Sequence, residues 1–330
     1  MLRLAIPSDG ALHEPSLLFL KECGLTVQRT NLRRYTAEIP RLPGLVVHFQ
    51  RGSDIGIKVE EGSADMGILG RDRFLETSRK NGNTMIVIDN LGFGHSNLVI
   101  GVPDSWIDVT STADLAELSM DFRAQGKELQ IATKYPKLVE RFLLDRGVNF
   151  FSLVESSGTL EAAPAMGYAD IIADISSTGT TLRENRLKTI EEGCVISSQA
   201  CIVINKSIDK SDPHKLQIVR DLVQSIEAHL QALNHYSITA NIAGKGPKEI
   251  AELILEKPDI SGLRGPTISK VYKLGEENWY AVTVIVEKEK LLNAVTQFKN
   301  IGGNSVTVSQ PNYVFHAKSD ATNMLESIGI

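Results

Sequence analysis

The run Asp170-Ile171-Ile172-Ala173-Asp174-Ile175-Ser176-Ser177-Thr178-Gly179-Thr180-Thr181-Leu182 joins an apolar, strand-like stretch to a cluster of hydroxyl residues around a glycine. That combination suits an anion. Successive backbone N–H groups in such a turn converge on a phosphate, serine and threonine hydroxyls add donors, and a helix beginning at Leu182 would contribute its positive end. Gly179 permits a backbone conformation and a close approach that a side chain would block. Asp170 and Asp174 stand where carboxylates could meet ribose hydroxyls or a magnesium ion carried in with the ligand. The same residues also suit a plain helix N-cap, and the turn alone leaves both readings open. Upstream, Ser157-Gly158-Thr159-Leu160-Glu161-Ala162-Ala163-Pro164 supplies a second glycine turn leading into a helix. Glu161 falls in its first turn, either as a cap or as a further carboxylate of the site.

The elements that must position these residues read as alternating strands and helices. Leu2 to Ile6 is a strand, Pro7-Ser8-Asp9-Gly10 turns, and Pro15 to Cys23 is a helix ended by Gly24. Leu45 to Gln50 is a strand, Ser53 to Glu61 a helix capped by Ser53, and Met66 to Leu69 a strand after a corner at Asp65, which reads as a turn former. A second set has strands at Leu98 to Val102, Leu129 to Thr133, Phe150 to Val154 and Asp170 to Ile175, with helices at Pro136 to Arg146 and Gly158 to Gly167. Ala200 to Asn205 is an apolar strand with no core of its own, which suits a return to the first set. The alternation implies largely parallel sheets in two lobes with a cleft between them.

Lys215 to Leu233 has the apolar spacing of a long amphipathic helix. Beyond it come Tyr236 to Ile242 (strand), Pro247 to Leu255 (helix), Thr267 to Tyr272 and Trp279 to Val286 (strands), Lys288 to Ile301 (helix) and Ser305 to Val308 (strand). That βαββαβ order is ferredoxin-like and suits a module that binds a small regulator. The domain boundaries that follow are 1–97 with 183–212 for lobe I, 98–182 for lobe II, 213–234 for the linking helix and 235–330 for the terminal module.

The 330 residues are 42% hydrophobic, enough for more than one buried core. A formal net charge of -5 argues against general nucleic-acid binding, so an anionic ligand must be held by local groups. Cys23, Cys194 and Cys201 are odd in number and widely spaced, which argues against a disulfide framework or a zinc site and suits small buried residues in a reducing cytoplasm. No signal peptide or membrane-spanning apolar run is apparent.

GTLEAAPAMGYAD followed by DISSTGTTLREN resembles the signature of the ATP phosphoribosyltransferase family. DIGIKVEEGSADMGILGRD (Asp54 to Asp72), LGFG (Leu91 to Gly94), ATKYP (Ala132 to Pro136) and the later GLRGPTISKVY and WYAV blocks resemble it too, in order over nearly the whole chain. The terminal module resembles that of the long form, which binds histidine as a feedback inhibitor. The resemblance implies an α/β fold with a two-lobed core like that of periplasmic binding proteins plus the ferredoxin-like domain. It implies the first reaction of histidine biosynthesis, in which N1 of ATP attacks the anomeric carbon of phosphoribosyl diphosphate and pyrophosphate leaves, with Mg2+ bridging the diphosphate.

In that scheme Ser177, Thr178, Gly179, Thr180 and Thr181 hold the 5-phosphate, while Glu161, Asp174 and Asp170 orient the ribose hydroxyls. Arg51, Asp72, Thr133, Lys134 and Tyr135 fall at the nucleotide, with Lys134 against phosphate and Tyr135 against adenine or in ordinary packing. Thr267, Ser269 and the Gly302-Gly303 turn are candidate histidine contacts. A cytoplasmic homo-hexamer with dimeric intermediates is also implied.

The chain departs from the family in its first loop, where Ser8-Asp9-Gly10-Ala11 replaces the usual cations, and after LGFG, where His95-Ser96-Asn97 lacks the usual basic residue. Arg51, Lys134, Arg71 or a neighbouring subunit must then supply the missing charge, with His13 also near the changed loop. The altered first loop motivates one alternative, a non-catalytic ligand-binding regulator, and a phosphoribosyltransferase for another base is a further one.

Overall fold

The computed structural model describes residues 1–31, 33–155, 159–263, 265–272, 277–317 and 319–330. They form two compact units, Met1–Val219 with Met324–Ile330, and Arg220–Asn323.

The first unit opens with β1 (Leu2–Pro7), α1 (His13–Glu22), β2 (Thr36–Glu38), β3 (Leu45–Gln50), α2 (Gly52–Glu60), β4 (Met66–Gly70), α3 (Arg71–Thr77) and β5 (Thr84–Ile88). It continues with β6 (Ser96–Pro103), α4 (Thr112–Ala124), β7 (Leu129–Thr133), α5 (Pro136–Asp145), β8 (Phe151–Glu155), α6 (Ala163–Met166), β9 (Ile171–Ser176), α7 (Thr180–Glu184), β10 (Leu187–Ser198) and β11 (Ala200–Asn205). The first lobe is a six-stranded sheet in the order β2-β3-β1-β4-β11-β5, and the second a five-stranded sheet in the order β10-β6-β9-β7-β8. β1 pairs in parallel with β3 and β4, while β11 runs antiparallel between β4 and β5. β4 and β11 are buried at every position, which is why both read as continuous apolar runs rather than alternating ones. Gly67 lets α2 pack close on β4, since a side chain there would meet Ile55 Cγ2 at 2.5 Å.

The chain crosses between lobes twice, from β5 to β6 and from β10 to β11. The crossings pair with each other: Leu91 N–H donates to the Ala200 carbonyl at 3.1 Å and Ala200 N–H to the Phe93 carbonyl at 3.0 Å. β10 belongs to the second sheet, antiparallel to β6, so that lobe extends past the boundary expected at 182. Its register shifts between Thr189 and Cys194, where Glu192 takes φ 57°, and this bulge breaks the alternation that would mark a strand. The helix expected from Gly158 to Gly167 starts outside the described residues; within them it is a 3-10 turn, Leu160–Ala162, and the single turn of α6. Pro164 suits the first turn of α6 but not the interior of a helix continued through it, and Gly167, with φ 74°, ends the turn.

α8 (Pro213–Leu233) leads to β12 (His235–Ala243), α9 (Pro247–Leu255), β13 (Thr267–Val271), β14 (Trp279–Glu287), α10 (Leu291–Asn300), β15 (Asn304–Ser309) and α11 (Asp320–Ser327). The four-stranded sheet has the order β13-β14-β12-β15, all pairs antiparallel, which is the ferredoxin-like arrangement. One face, carrying Ile238, Ala240, Ile242, Val282 and Val284, packs with Ile250 and Ile254 of α9 and Phe298 of α10. Among the described residues no helix is long and apolar enough to cross a membrane. Cys23 and Cys201 are buried and Cys194 is exposed, all three as free thiols.

Candidate active site

β9 is a parallel strand beside β7, and its C-terminal end delivers the hydroxyl turn. α7 begins at Thr180, two residues earlier than expected. Gly179 precedes it with φ 70°, a left-handed conformation that glycine adopts without strain. Its N–H donates to Ser176 Oγ at 3.0 Å, and the Thr178 and Thr180 hydroxyls lie 3.0 Å apart. Arg183, one turn on, donates to the Thr178 carbonyl at 3.2 Å and braces the loop from behind. Ser177, Thr178, Gly179, Thr180 and Thr181 line one concavity of about 80 Å³, together with Glu161 and Asp174.

Glu161 comes from the 3-10 turn Leu160–Ala162 and lines the concavity. Asp174 is half-buried and accepts the Ile175 N–H at 2.8 Å. Burial holds its pKa above the ordinary carboxylate value, the Ile175 bond opposes that, and the charge of Glu161 adds to it.

The concavity opens into a cleft of about 570 Å³ that shares Asp174, Ile175 and Ser177 with it and takes its other walls from both lobes. Asp9, Gly10 and Ala11 of the first loop, Gly52 and Ser53 at the start of α2, Asp72 and Arg73 of α3, His95 and Ser96 after the first crossing, and Lys134 and Tyr135 all line it. A cleft of this size, at the C-terminal ends of parallel strands, suits a nucleotide.

α3 and the start of α5 clasp each other beside this cleft. Asp72 is buried: its Oδ2 accepts the Tyr135 hydroxyl at 2.6 Å and its Oδ1 the Ser198 hydroxyl at 2.5 Å. Burial and the neighbouring Asp72 charge push the Tyr135 phenol well above its usual range, so it donates as a neutral hydroxyl. The Arg73 guanidinium lies over the Tyr135 ring, 4.1 Å from its centre, and Nη1 donates to the Lys134 carbonyl at 3.2 Å. Glu76 accepts the N–H groups of Lys137 and Leu138 at 2.9 and 3.0 Å, capping α5 from another lobe.

Several expected site residues lie elsewhere or are held in another role. Asp170 lies at the opposite end of β9 and accepts the Gln130 N–H at 2.8 Å, fixing the start of β7. It shares a strand face with Asp174, but four residues of strand separate the two by about 13 Å. Thr133 is buried, its hydroxyl donating to the Ala173 carbonyl at 2.8 Å and accepting the Tyr135 N–H at 3.0 Å. Tyr135 is 3% exposed with Arg73 on its ring, so it braces the lobes rather than offering a face to adenine. Arg51 precedes α2 and does not line the cleft, whereas Gly52 and Ser53 do. Arg71 faces Asp89, with Nε 2.9 Å from Oδ1. His13 is held at the Pro7 carbonyl by Nδ1 at 2.7 Å. Arg73 and Glu76 were not anticipated; the available signal was the position of Arg73 at the end of β4, where an α/β sheet gathers its ligand groups.

In the second unit, Thr267 and Ser269 lie on the edge strand β13, exposed on the face away from the helices. Thr267 pairs with Thr283, Thr283 with Thr239 and Thr239 with Thr307, so threonines cross all four strands in one row. The Thr239 and Thr283 hydroxyls are 2.9 Å apart. Gly303 N–H closes the turn after α10 onto the Phe298 carbonyl at 2.7 Å.

The profile of the family described as ATP phosphoribosyltransferase matches residues 51–228, and that described as HisG, C-terminal domain, matches residues 232–311. Among curated relatives, ATP phosphoribosyltransferase 2, chloroplastic, of Arabidopsis thaliana is 37% identical over 100% of this chain and 81% of its own length. ATP phosphoribosyltransferase of Chelativorans sp. (strain BNC1) is 39% identical over 68% of this chain and 97% of its own. Among solved structures, the ATP phosphoribosyl transferase (HisG:HisZ) complex from Thermotoga maritima aligns with a TM-score of 0.52 and 26% identity, covering 69% of this chain and 98% of that one. The chain belongs to the ATP phosphoribosyltransferase family, in the long form that carries the additional C-terminal domain.

Proposed function

We propose that the cleft transfers the phosphoribosyl group of phosphoribosyl diphosphate to N1 of ATP with release of pyrophosphate, the first step of histidine biosynthesis. The observation that carries this reading is the joining of the hydroxyl turn, with Glu161 and Asp174 beside it, to a nucleotide-sized cleft. In this scheme the turn from Ser177 to Thr181 takes the 5-phosphate through its N–H groups and hydroxyls. Glu161 and Asp174 accept hydrogen bonds from the ribose 2- and 3-hydroxyls and fix the anomeric carbon for attack. As the glycosidic bond to the leaving oxygen lengthens, positive charge grows on the sugar and then on the adenine ring. The paired carboxylates favour both over the neutral ground state. Lys134 and Arg73 stand where they can meet phosphate charge.

Magnesium would arrive with the diphosphate as part of the substrate and would supply charge neutralisation for the leaving pyrophosphate. Among the described residues no three His, Cys, Asp or Glu side chains form a metal site, and Glu161 with Asp174 could meet a substrate-borne ion only from one side. The second unit is proposed to bind histidine as feedback inhibitor near Thr267 and Ser269. A homo-hexamer with dimeric intermediates, located in the cytoplasm or in a plastid like the chloroplastic relative, completes the proposal.

Mixing the protein with ATP, phosphoribosyl diphosphate and magnesium and following pyrophosphate release tests the central claim. Release that requires ATP is expected. Ligand binding without release would leave only a binding protein, and release with another base in place of ATP would reassign the acceptor.

A further inference from the structure

The first loop brings Asp9, Gly10 and Ala11 to the cleft and no cation. Among the described residues lining the cleft, the lysine and arginine side chains are Lys134 and Arg73. Three acids, Asp9, Asp72 and Asp174, line it as well. Asp72 is already engaged by Ser198 and Tyr135. A ligand carrying a di- or triphosphate therefore meets one such cation from each lobe, Arg73 and Lys134, and none from the first loop.

The two cations differ in how they are held. Lys134 is exposed on a flexible stem. Arg73 is half-buried, stacked on Tyr135 and tied by Nη1 to the Lys134 carbonyl, which leaves further N–H donors of its planar fork for a ligand. A guanidinium oriented in advance loses little freedom on binding and matches two phosphate oxygens at once. Its charge also reaches the reacting end of the cleft, where it opposes the rise in the Asp174 pKa.

We propose that Arg73 is a specificity-determining residue that grips the polyphosphate of the substrate, doing from α3 what the first loop of this chain does not do. The inference rests on the cleft being the phosphoribosyl-transfer site. The polyphosphate is either the triphosphate of ATP or the diphosphate of phosphoribosyl diphosphate.

Calorimetric titration of the full-length protein with ATP against adenosine, and with phosphoribosyl diphosphate against ribose 5-phosphate, separates these sources. Arg73→Gln is expected to weaken one or both polyphosphate ligands by about 10- to 100-fold, the range of a lost charge-assisted hydrogen bond, while adenosine and ribose 5-phosphate bind as before. Arg73→Lys should recover part of the loss. Asp9→Lys added to Arg73→Gln should recover part of it from the first loop, which follows β1 beside β4 on the same lobe. A loss confined to ATP assigns the triphosphate, and one confined to phosphoribosyl diphosphate assigns the diphosphate. Unchanged polyphosphate affinity in Arg73→Gln overturns the proposal. So does an equal loss for adenosine and ribose 5-phosphate with a lowered melting temperature, because Arg73 would then only strap the lobes together. These titrations need no turnover. A wild-type protein that binds ATP more tightly than adenosine but releases no pyrophosphate would sink the assigned reaction and leave Arg73 judged on its own contrast.

Discussion

Asp174 is a carboxylate whose surroundings resist its charge. Burial and the adjacent Glu161 both favour the protonated form, and a fold selected only for stability has no use for that arrangement. Catalysis by the charged form should therefore switch on at a higher pH than an ordinary carboxylate allows, because a raised pKa keeps the proton on as pH rises. Glu161→Gln removes one cause and should move the acidic limb of the kcat/KM profile to lower pH; a limb that stays in place would separate the two residues. Asp174→Asn should lower kcat by about 10²- to 10³-fold, the scale of losing one preorganised electrostatic group. It should do so without lowering the melting temperature, since the substitution relieves a buried charge. At Gly179 the φ of 70° makes Gly179→Ala strained, at a cost of about 1 kcal/mol, and a side chain there would also press on Arg183 Nη1 at 3.2 Å. The expected result is a raised KM for phosphoribosyl diphosphate and a near-normal KM for ATP in steady-state kinetics. Residues of the turn were legible in the sequence because a phosphate loop is local. Arg73 was not, because its partner is the carbonyl of Lys134, 61 positions along the chain.

Elements were legible where the apolar pattern was clean, as in the continuous runs of β4 and β11, which are buried throughout, and in the βαββαβ order of the second unit. β10 was hidden by its bulge at Glu192, and α3 by its length, a two-turn helix from Arg71 to Thr77 with no cap to announce it. Asp65 shows how local reading and long-range packing part ways. The sequence reads it as a turn former. In the structure it is 3% exposed, accepts Arg3 Nη2 at 2.9 Å and Lys215 Nζ at 2.8 Å, and so ties β1, β4 and the start of α8. Burial works against its charge, yet the bonds from Arg3 and Lys215 hold its pKa below the ordinary value. Asp65→Asn leaves two cations short of a buried partner and should cost about 3–5 kcal/mol in urea or guanidinium unfolding. The pH dependence has a definite sign. The folded carboxyl titrates below its unfolded value, so its contribution is present above the unfolded pKa and is lost as pH falls through the folded one. The stability gap between wild type and Asp65→Asn should accordingly be widest near neutral pH and narrow in acid. An equal gap at both would assign the cost to packing rather than to charge.

At the scale of the whole molecule, the transferase profile ends at residue 228 and a separate one covers residues 232–311, and the relative from Chelativorans aligns over 97% of its length with 68% of this chain. The second unit therefore needs a reason of its own. Its sheet buries one face under α9 and α10 and lines the other with a row of threonines, with Thr267 and Ser269 exposed on the edge strand. Hydroxyls and backbone groups at an open edge suit an amino-acid ligand, whose ammonium and carboxylate need acceptors and donors together. Histidine at 100 times its Kd should raise the unfolding free energy of that unit by about 2.7 kcal/mol and lower the rate of pyrophosphate release. The combined variant Thr267→Val with Ser269→Ala should lose both effects, with its own rate in the absence of histidine as the reference. If histidine still inhibits and still stabilises the variant, the ligand sits elsewhere in the unit. If histidine changes neither rate nor melting temperature in the wild type, the second unit is not a histidine sensor.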